Sequence, residues 1–467
     1  MAKFPIRYFR SLRMVCLLVV FLSAVPAPRS QGLGEPQREQ LLNGLNVLLW
    51  PAPGSSSVLI KLRIHSGSAF DLAGRSGEMS LLGDILFPDA ATVDYFTEEM
   101  GGKLEVRVNY DSTTITMQGK ASEFDKIVEV LRNGVLSTQL TPEVVDRVRQ
   151  ARIKILRETA VSPPVVADRA IAVRLFGDFP YGKPSEGSAE DVARIDRADL
   201  MLARDRFLNS NNATLGIVGG INPSHAMRIL RQLLGPWRKS DQLVPTTFRQ
   251  PQPPDPRVLI INSPSQTAEV RLAVRGLSRS DTDAVAADVL AKVAYRRWME
   301  SLPVLSRKPA FVRNDTHVLP GMFIFGAGVE ETNVLDVITT ARKVFESLIG
   351  IPPSAAELER AKNEVIAERS TGTKPEGAVD GWLDQETYKL KSVPDAMTVM
   401  QVSAADVQRA ATRLFKEAKT ASIITGDPVH LRAVLENRIP YEILGAIDTS
   451  SAPSKIPAKP AGTPNPR

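Results

Sequence analysis

The stretch "SGEMSLLGDILF" (residues 76–87) has the pattern of an amphipathic helix that follows a glycine-rich turn. Its apolar residues recur every three to four positions, which is the spacing of one helix face. Ser80, Gly83 and Asp84 interrupt this pattern at i, i+3 and i+4. A glycine inside a helix costs about 1 kcal/mol relative to alanine. A serine, a bare glycine and an aspartate on one side of a helix therefore need an explanation from the rest of the chain.

The N-terminus has the features of an export signal. Four basic residues precede the short apolar run "MVCLLVVFLSAV" (14–25), which predicts a secretory signal peptide over residues 1–27 with an open cleavage point. A retained N-terminal anchor is the alternative. The only cysteine, Cys16, lies inside this run, so the mature chain has no disulfide and no thiolate metal site. Export without disulfides favours the periplasm of a Gram-negative-type bacterium.

The formal net charge of +6 is concentrated at the two ends of the chain. The predicted signal carries four basic residues, and the tail over residues 447–467 carries three, so the region between them is close to neutral. No basic stripe remains that indicates a nucleic-acid partner. The tail has too little apolar content to fold, and we expect it to be disordered. We also expect no stable membrane span once the signal is removed.

The order of predicted elements repeats along the 467 residues, at a separation of roughly 205 to 215 residues. For example, "LTPEVVDRVRQARIKILRE" (140–158) has a counterpart in "PPSAAELERAKNEVIAER" (352–369). A proline-rich stretch without periodicity separates the two halves. We therefore predict an N-terminal domain over residues 33–245, a linker over 246–256 and a C-terminal domain over 257–446. Strand pairs alternating with separate helices predict the α+β class, with antiparallel sheets and helices packed on one face.

Several segments in serial order resemble the insulinase, pitrilysin and processing-peptidase family over roughly residues 38–440. The segments that carry the resemblance are "LLNGLNVLLWPAP", "RIHSGSAFDLAGRSGEMSLLGDILF", "EEMGGKLEV", "FGDFPYGKPSEGSAEDVARI", "RFLNSNNATLGIVGG" and "PPSAAELERAKNEV". The resemblance implies two similar α+β domains that together form half of a clam-shell. A second half would close on it to enclose peptides.

The resemblance also explains the polar trio in the opening helix. Active members carry an inverted zinc motif, His-x-x-Glu-His, on this helix, with a further glutamate ligand on a later helix. The two histidines fall at Ser80 and Asp84, and the glutamate that activates water falls at Gly83. We call these three residues the degenerate motif. The later ligand falls near Ile155 or Leu156, so the resemblance implies no catalytic residue and no metal in this chain.

Two residue-based alternatives keep a catalytic site. Ser80 and Asp84 with a distant histidine would form a hydrolase triad, although no Gly-x-Ser-x-Gly elbow surrounds the serine. Glu78, Asp84 and Glu158 would form a metal site made only of carboxylates. The four histidines of the chain show no helical ligand spacing.

The resemblance extends to a substrate-binding pair in the second domain. Active members use an arginine and a tyrosine there to hold the substrate backbone. In "YRRWMESLPVLSRKPAFV" (295–312), Arg296 or Arg297 matches the arginine, with Arg297 preferred, and Phe311 stands at the tyrosine position. A phenylalanine has no hydroxyl to donate.

These observations predict a non-catalytic partner subunit. It would pair as a heterodimer with an active zinc-peptidase homologue, which would hold the zinc, and the two would enclose peptides in a shared chamber. Two other functions remain open. One is an active metalloendopeptidase with an unorthodox site, and the other is a stand-alone periplasmic peptide-binding or scaffold protein.

Overall fold

The chain folds into two domains of similar design, each built around a six-stranded sheet. The computed structural model describes residues 33–242, 248–263, 267–303, 309–370, 375–392 and 395–444. The predicted signal peptide (1–27) and tail (447–467) lie outside these ranges, as does the start of the predicted linker. The rest of the linker, 248–256, carries no helix or strand.

The first sheet has the strand order β1-β2-β6-β3-β5-β4. Its strands are β1 (Gln37–Gln40), β2 (Asn46–Pro51), β3 (Ser57–Ile64), β4 (Lys103–Val108), β5 (Thr113–Lys120) and β6 (Ala213–Gly219). The helices of this half are α1 (Glu78–Ile85), α2 (Ala90–Glu98), α3 (Phe124–Leu136), α4 (Pro142–Thr159), α5 (Pro163–Phe176), α6 (Ala189–Arg194), α7 (Arg197–Phe207) and α8 (Pro223–Leu234). One apolar core joins one face of this sheet to the helices other than α5.

The second sheet has the order β12-β7-β11-β8-β10-β9, in which β7-β11-β8-β10-β9 repeat β2-β6-β3-β5-β4 of the first sheet, while β12 pairs in parallel with β7 and β1 pairs antiparallel with β2. Its strands are β7 (Val258–Asn262), β8 (Ala268–Arg275), β9 (Ala310–Asp315), β10 (Met322–Val329), β11 (Ala421–Gly426) and β12 (Tyr441–Leu444). The helices are α9 (Ala284–Ser301), α10 (Val334–Gly350), α11 (Ala355–Ser370), α12 (Pro375–Tyr388), α13 (Ala396–Met400), α14 (Ala404–Phe415) and α15 (Pro428–Leu435). All of these except α12 enclose the second core.

Most strand pairs are antiparallel, as predicted, but both sheets are mixed. β2 and β3 run in opposite directions, and β6 inserts between them instead of leaving them paired. A strand placed between two antiparallel neighbours must run parallel to one of them, and β6 is parallel to β2. β11 inserts between β7 and β8 in the same way. The α+β class and the two-domain design are confirmed, and purely antiparallel pairing is corrected.

The two domains exchange one helix each. α5, from the first half of the sequence, packs on the outer face of the second sheet, where its residues share a buried cluster with β7, β8 and β11. α12, from the second half, packs on the outer face of the first sheet against β2, β3 and β6. Helices therefore cover both faces of each sheet, whereas the sequence predicted helices on one face only.

Side chains cap the starts of the helices α4 and α11. Thr141 caps α4, because its hydroxyl accepts a hydrogen bond from Val144 N at 3.3 Å. Ser354 and Glu357 form the reciprocal bonds of a capping box at the start of α11, at 2.8 and 3.3 Å. Across the ranges given above, no helix is long and apolar enough to cross a membrane.

Candidate functional site

The opening stretch forms α1, and the loop before it fixes the direction of this helix. Gly77 precedes α1 in a left-handed conformation with φ of 94°. A Cβ atom there would lie 2.7 Å from Glu186 O, so only glycine fits. The Asp71 carboxylate accepts hydrogen bonds from Gly77 N at 2.6 Å and Met79 N at 2.9 Å. A carboxylate at a helix N-terminus satisfies free backbone N–H groups and the positive end of the helix dipole.

The three residues of the degenerate motif lie in different environments. Ser80 is 4% exposed, and its hydroxyl donates a hydrogen bond to Ser185 O at 2.9 Å. Gly83 faces β4 so closely that a Cβ atom would lie 3.0 Å from Val108 Cγ2 and 3.3 Å from Val106 Cγ1. The Asp84 carboxylate is 40% exposed. The trio is therefore a buried donor, a close packing contact and a surface carboxylate.

A cation from α4 occupies the space beside Ser80 and Asp84. Arg152 donates from Nε to Asp84 Oδ2 at 2.6 Å and from Nη2 to Asp84 Oδ1 at 2.8 Å, which is a bidentate ion pair. Nη2 also lies 3.3 Å from Ser80 O, and Nη1 lies 3.4 Å from Glu186 O. The guanidinium thus contacts two residues of the degenerate motif and links α1 to α4.

The two predicted positions of the later ligand on α4 lie in different environments. Leu156 is buried in the core, and Ile155 is 59% exposed. Glu158 is also exposed. On α4, Arg152, four positions before Leu156, hydrogen-bonds to α1. α4 carries five basic residues, so its sequence held no signal that distinguishes Arg152 from the others.

The residues present do not fit a zinc ion. Catalytic zinc takes three protein ligands from histidine, carboxylate or thiolate groups. Here one ligand position is a hydroxyl that already donates to a carbonyl, and another is a carboxylate neutralised by a guanidinium. The position of the general base has no side chain. In the part of the chain that the structure describes, no group of three or more His, Cys, Asp or Glu residues could hold a metal.

The alternative sites from the sequence are not assembled. The Glu78 carboxylate is turned into the loop before α1, where it accepts a hydrogen bond from Leu72 N at 3.2 Å, and burial raises its pKa to about 7. Neither Glu78 nor the exposed Glu158 joins Asp84 in a carboxylate cluster. The four histidines have hydrogen-bond or ion-pair partners elsewhere, namely Thr214 and Thr387 for His65, Asp125 for His225, Asp111 for His317 and Glu331 for His430.

The predicted substrate-binding pair lies in the second domain. Arg297, on α9, donates to Glu357 Oε1 at 2.9 Å and to two carbonyl oxygens between α10 and α11 at 3.0 and 3.2 Å. Its side chain is 12% exposed, and the hydrogen bond that it gives lowers the pKa of Glu357 to about 2. Phe311, on β9, lies between the guanidinium groups of Arg313 and Arg271, at 4.6 and 5.1 Å from the ring centre. Both side chains thus have partners within the chain, and their contact with peptide stays a prediction.

Comparison with known proteins matches this fold to peptidases and to a subunit of a respiratory complex. The chain is 22% identical over 231 residues to cytochrome b-c1 complex subunit 1, mitochondrial, from Homo sapiens, which is 48% of each protein. It spans about half the length of the curated relatives that it matches.

Two solved structures show the same fold over most of the chain. A protease from Helicobacter pylori matches with a TM-score of 0.75 at 20% identity, covering 84% of this chain and 99% of the other. A peptidase M16 inactive domain from Pseudomonas fluorescens matches with a TM-score of 0.74 at 18% identity, covering 84% and 98%.

Two family models match successive parts of the chain. Residues 46–184 match Insulinase (Peptidase family M16), and residues 194–293 match Peptidase M16 inactive domain. The first match contains α1 with the degenerate motif and also Arg152 on α4. With the serial motifs and the repeated sheets, these matches show that the chain belongs to the insulinase family, peptidase family M16.

Proposed function

We propose that this chain is a non-catalytic insulinase-family subunit that pairs with an active zinc-peptidase homologue and binds peptides in the chamber between them. The carrying observation is the Arg152–Asp84 ion pair, at 2.6 and 2.8 Å, at the position where the family resemblance expects zinc. A guanidinium has a permanent positive charge, so it repels a divalent cation at this position. Asp84 is then a structural partner of Arg152 and not a ligand.

The missing general base supports the same conclusion. A glutamate at Gly83 would place its Cβ atom 3.0 Å from Val108 Cγ2 and 3.3 Å from Val106 Cγ1, so these side chains would have to move by a few tenths of an ångström. In an inverted zinc motif this glutamate activates the metal-bound water. The motif positions thus carry neither the histidine ligands nor the base, and a side chain at Gly83 would be tightly packed against β4.

Peptide binding is compatible with the loss of catalysis. β4 is an edge strand of the first sheet, and an edge strand leaves alternate backbone N–H and C=O groups unpaired within the sheet. Such an edge holds an extended peptide by main-chain hydrogen bonds. Because Gly83 packs against Val106 and Val108 of β4, this edge lies beside the degenerate motif.

Pairing is supported by the kinds of protein that the chain resembles. The human relative is named as a subunit of the cytochrome b-c1 complex, and the Pseudomonas fluorescens structure is described as an inactive domain. Both names fit a family in which some members have a role other than peptide cleavage. We further propose, from the N-terminal sequence, that the chain is exported and acts in a bacterial periplasm.

The test is to purify the full chain alone and together with a homologue from the same organism that carries an intact His-x-x-Glu-His motif. We expect the chain alone to contain no stoichiometric zinc by metal analysis and to cleave no peptide. Together, the two chains should co-elute in size-exclusion chromatography and cleave peptides in a chelator-sensitive reaction.

A matched variant tests whether the Arg152–Asp84 ion pair is needed for association with the homologue or for peptide cleavage by the two chains. Asp84→Asn with Arg152→Gln removes both charges of the pair but provides no new ligand, so it should still co-elute and leave the activity of the pair intact. Chelator-sensitive cleavage by the isolated chain would favour the unorthodox metalloendopeptidase. Peptide binding by a chain that never associates with the homologue would favour the stand-alone binding protein.

A further inference from the structure

The two exchanged helices occupy equivalent places in the repeated fold. Lys61 on β3 lies opposite Gly216, three residues before Gly219, which ends β6. Arg271 on β8 lies opposite Ile423, three residues before the end of β11. Both cations point to the exchanged helix of the other domain, because Lys61 pairs with Asp380 of α12 and Arg271 with Asp168 of α5, each at 2.6 Å. Each aspartate is the sixth residue of a 14-residue helix.

The apolar parts of these two contacts differ in size. The cluster around α5 contains fourteen buried hydrophobic residues and includes an aromatic group formed by Phe176, Phe179 and Tyr181. The cluster around α12 contains six, of which α12 itself supplies only Val379 and Leu383. Since hydrophobic stabilisation grows with the apolar area removed from water, α5 is held more firmly by apolar packing than α12 is.

The cations that face the two exchanged helices differ in how far they depend on those helices for a carboxylate partner. Arg271 has a second partner, Glu269, on its own strand at 2.8 Å, so its charge is balanced within its own domain. Lys61 and Arg63 are 3% and 8% exposed, and the carboxylates that pair with them in the described chain all belong to α12. These carboxylates are Glu376, Asp380 and Asp384.

The α12 carboxylates follow one line on the helix. Glu376, Asp380 and Asp384 are spaced by four residues, so they share one face. They meet a row of cations on the sheet, where Lys103 binds Glu376 at 2.7 Å and Lys61 binds Asp380 at 2.6 Å. The carboxylate side chains are 24–37% exposed, so dissolved ions reach them.

We propose that α12 is an electrostatic latch, that is, a helix held on the first sheet mainly by ion pairs. Its carboxylates balance the buried cations of that sheet, and α12 leaves the first sheet before α5 leaves the second. When α12 leaves, Lys61 and Arg63 lose their paired carboxylates. When α5 leaves, Arg271 keeps Glu269. The chain therefore opens at the contact with the smaller apolar cluster, whereas α5, which adds the Arg174–Glu442 ion pair at 2.6 Å to its larger apolar cluster, keeps the domains joined.

The test is hydrogen–deuterium exchange on the full chain, resolved for α5 and α12 peptides. Wild-type protein is compared at low salt and at about 1 M NaCl, where the Debye length is about 3 Å. We expect salt to speed exchange in α12 several times more than in α5. Asp380→Asn should speed α12 exchange about ten- to hundredfold, since it leaves a buried cation with one distant partner. The matched variant Asp168→Asn should speed α5 exchange less than about threefold.

Two results would overturn the proposal. One is equal acceleration of α5 and α12, by salt or by the matched variants, since the two contacts would then be equivalent. The other is uniform acceleration across the first domain, which would mean global unfolding and not release of α12. If Asp380→Asn does not fold, the salt comparison on the wild-type chain decides alone. The double variant Lys61→Met with Asp380→Leu removes the buried pair, and should restore slow exchange and reduce its salt dependence.

Discussion

Replacing Arg152 by alanine tests whether the guanidinium has taken over the structural role of a metal. The substitution removes two hydrogen bonds to Asp84, at 2.6 and 2.8 Å, and the longer contacts to Ser80 O and Glu186 O. These contacts connect α1 to α4, so their loss separates the two helices on which the resemblance places a zinc site. The first domain should therefore lose stability, and not only surface charge.

The expected size follows from the exposure of the two partners. A hydrogen bond to a charged group contributes about 1.5–3 kcal/mol when it is well shielded, and an exposed ion pair contributes about 0–1 kcal/mol. The Arg152 side chain is 17% exposed and the Asp84 side chain is 40% exposed, so the pair lies between these limits. We expect a coupling free energy of about 1–2 kcal/mol between the two residues in a double-mutant cycle with Arg152→Ala and Asp84→Ala.

The assay is urea unfolding followed by circular dichroism and tryptophan fluorescence, because coincident transitions are needed for a two-state free energy. The same helix supplies a control pair, Arg147 and Asp89, at 3.3 Å with side chains 58% and 67% exposed. Its coupling should stay below about 0.5 kcal/mol. If the Arg152–Asp84 coupling is no larger than that of the control, the guanidinium does not hold the two helices together and the reasoning fails.

Three further substitutions have expected outcomes that the structure sets. In the folded chain the Glu78 pKa is about 7, so ionisation of this buried carboxyl destabilises the fold as pH rises. Glu78→Gln should therefore raise the free energy of unfolding, measured in urea, by up to about 3 kcal/mol at pH 8 and leave it unchanged at pH 4.5. Burial lowers the His65 pKa to about 3, so near pH 5 only the unfolded chain takes up a proton at this histidine. The free energy of unfolding should therefore fall between pH 8 and pH 5, and His65→Gln should make that fall smaller by about 2 kcal/mol. Arg297→Ala should raise the pKa of Glu357 from about 2 toward its ordinary value in an NMR titration; weaker peptide binding by a variant that stays folded would support the predicted contact with substrate.

The sequence was informative where local chemistry decides the structure. Thr141 caps α4 and Ser354 caps α11 because their hydroxyls reach backbone N–H groups within three residues. The repeat of elements predicted two similar domains, and five strands of each sheet do follow the same order. The three motif positions were predicted from the resemblance, and all three lie on α1.

The sequence was less informative where partners are far apart along the chain. Arg152 and Asp84 are separated by 68 residues, and nothing in the local pattern of α4 marks that arginine as a partner. The exchange of α5 and α12 depends on which sheet each helix packs against. Amphipathic spacing shows that a helix has an apolar face, but it does not show which sheet that face covers. Insertion of β6 between β2 and β3 is a third case, because the hairpin-like sequence pattern does not show that another strand separates them.

The degenerate motif is best understood as a set of changes that stabilise one another. If a histidine replaced Asp84 alone, Arg152 would lose its bidentate partner and a partly buried guanidinium would face an imidazole. A glutamate at Gly83 alone would place its Cβ atom 3.0 Å from Val108 Cγ2, which crowds the α1–β4 contact by a few tenths of an ångström. Each single step back toward the zinc motif therefore destabilises the α1–α4 or the α1–β4 contact before any metal can bind. Once a guanidinium–carboxylate pair links the two helices, a single substitution toward the zinc motif lowers the stability of the first domain.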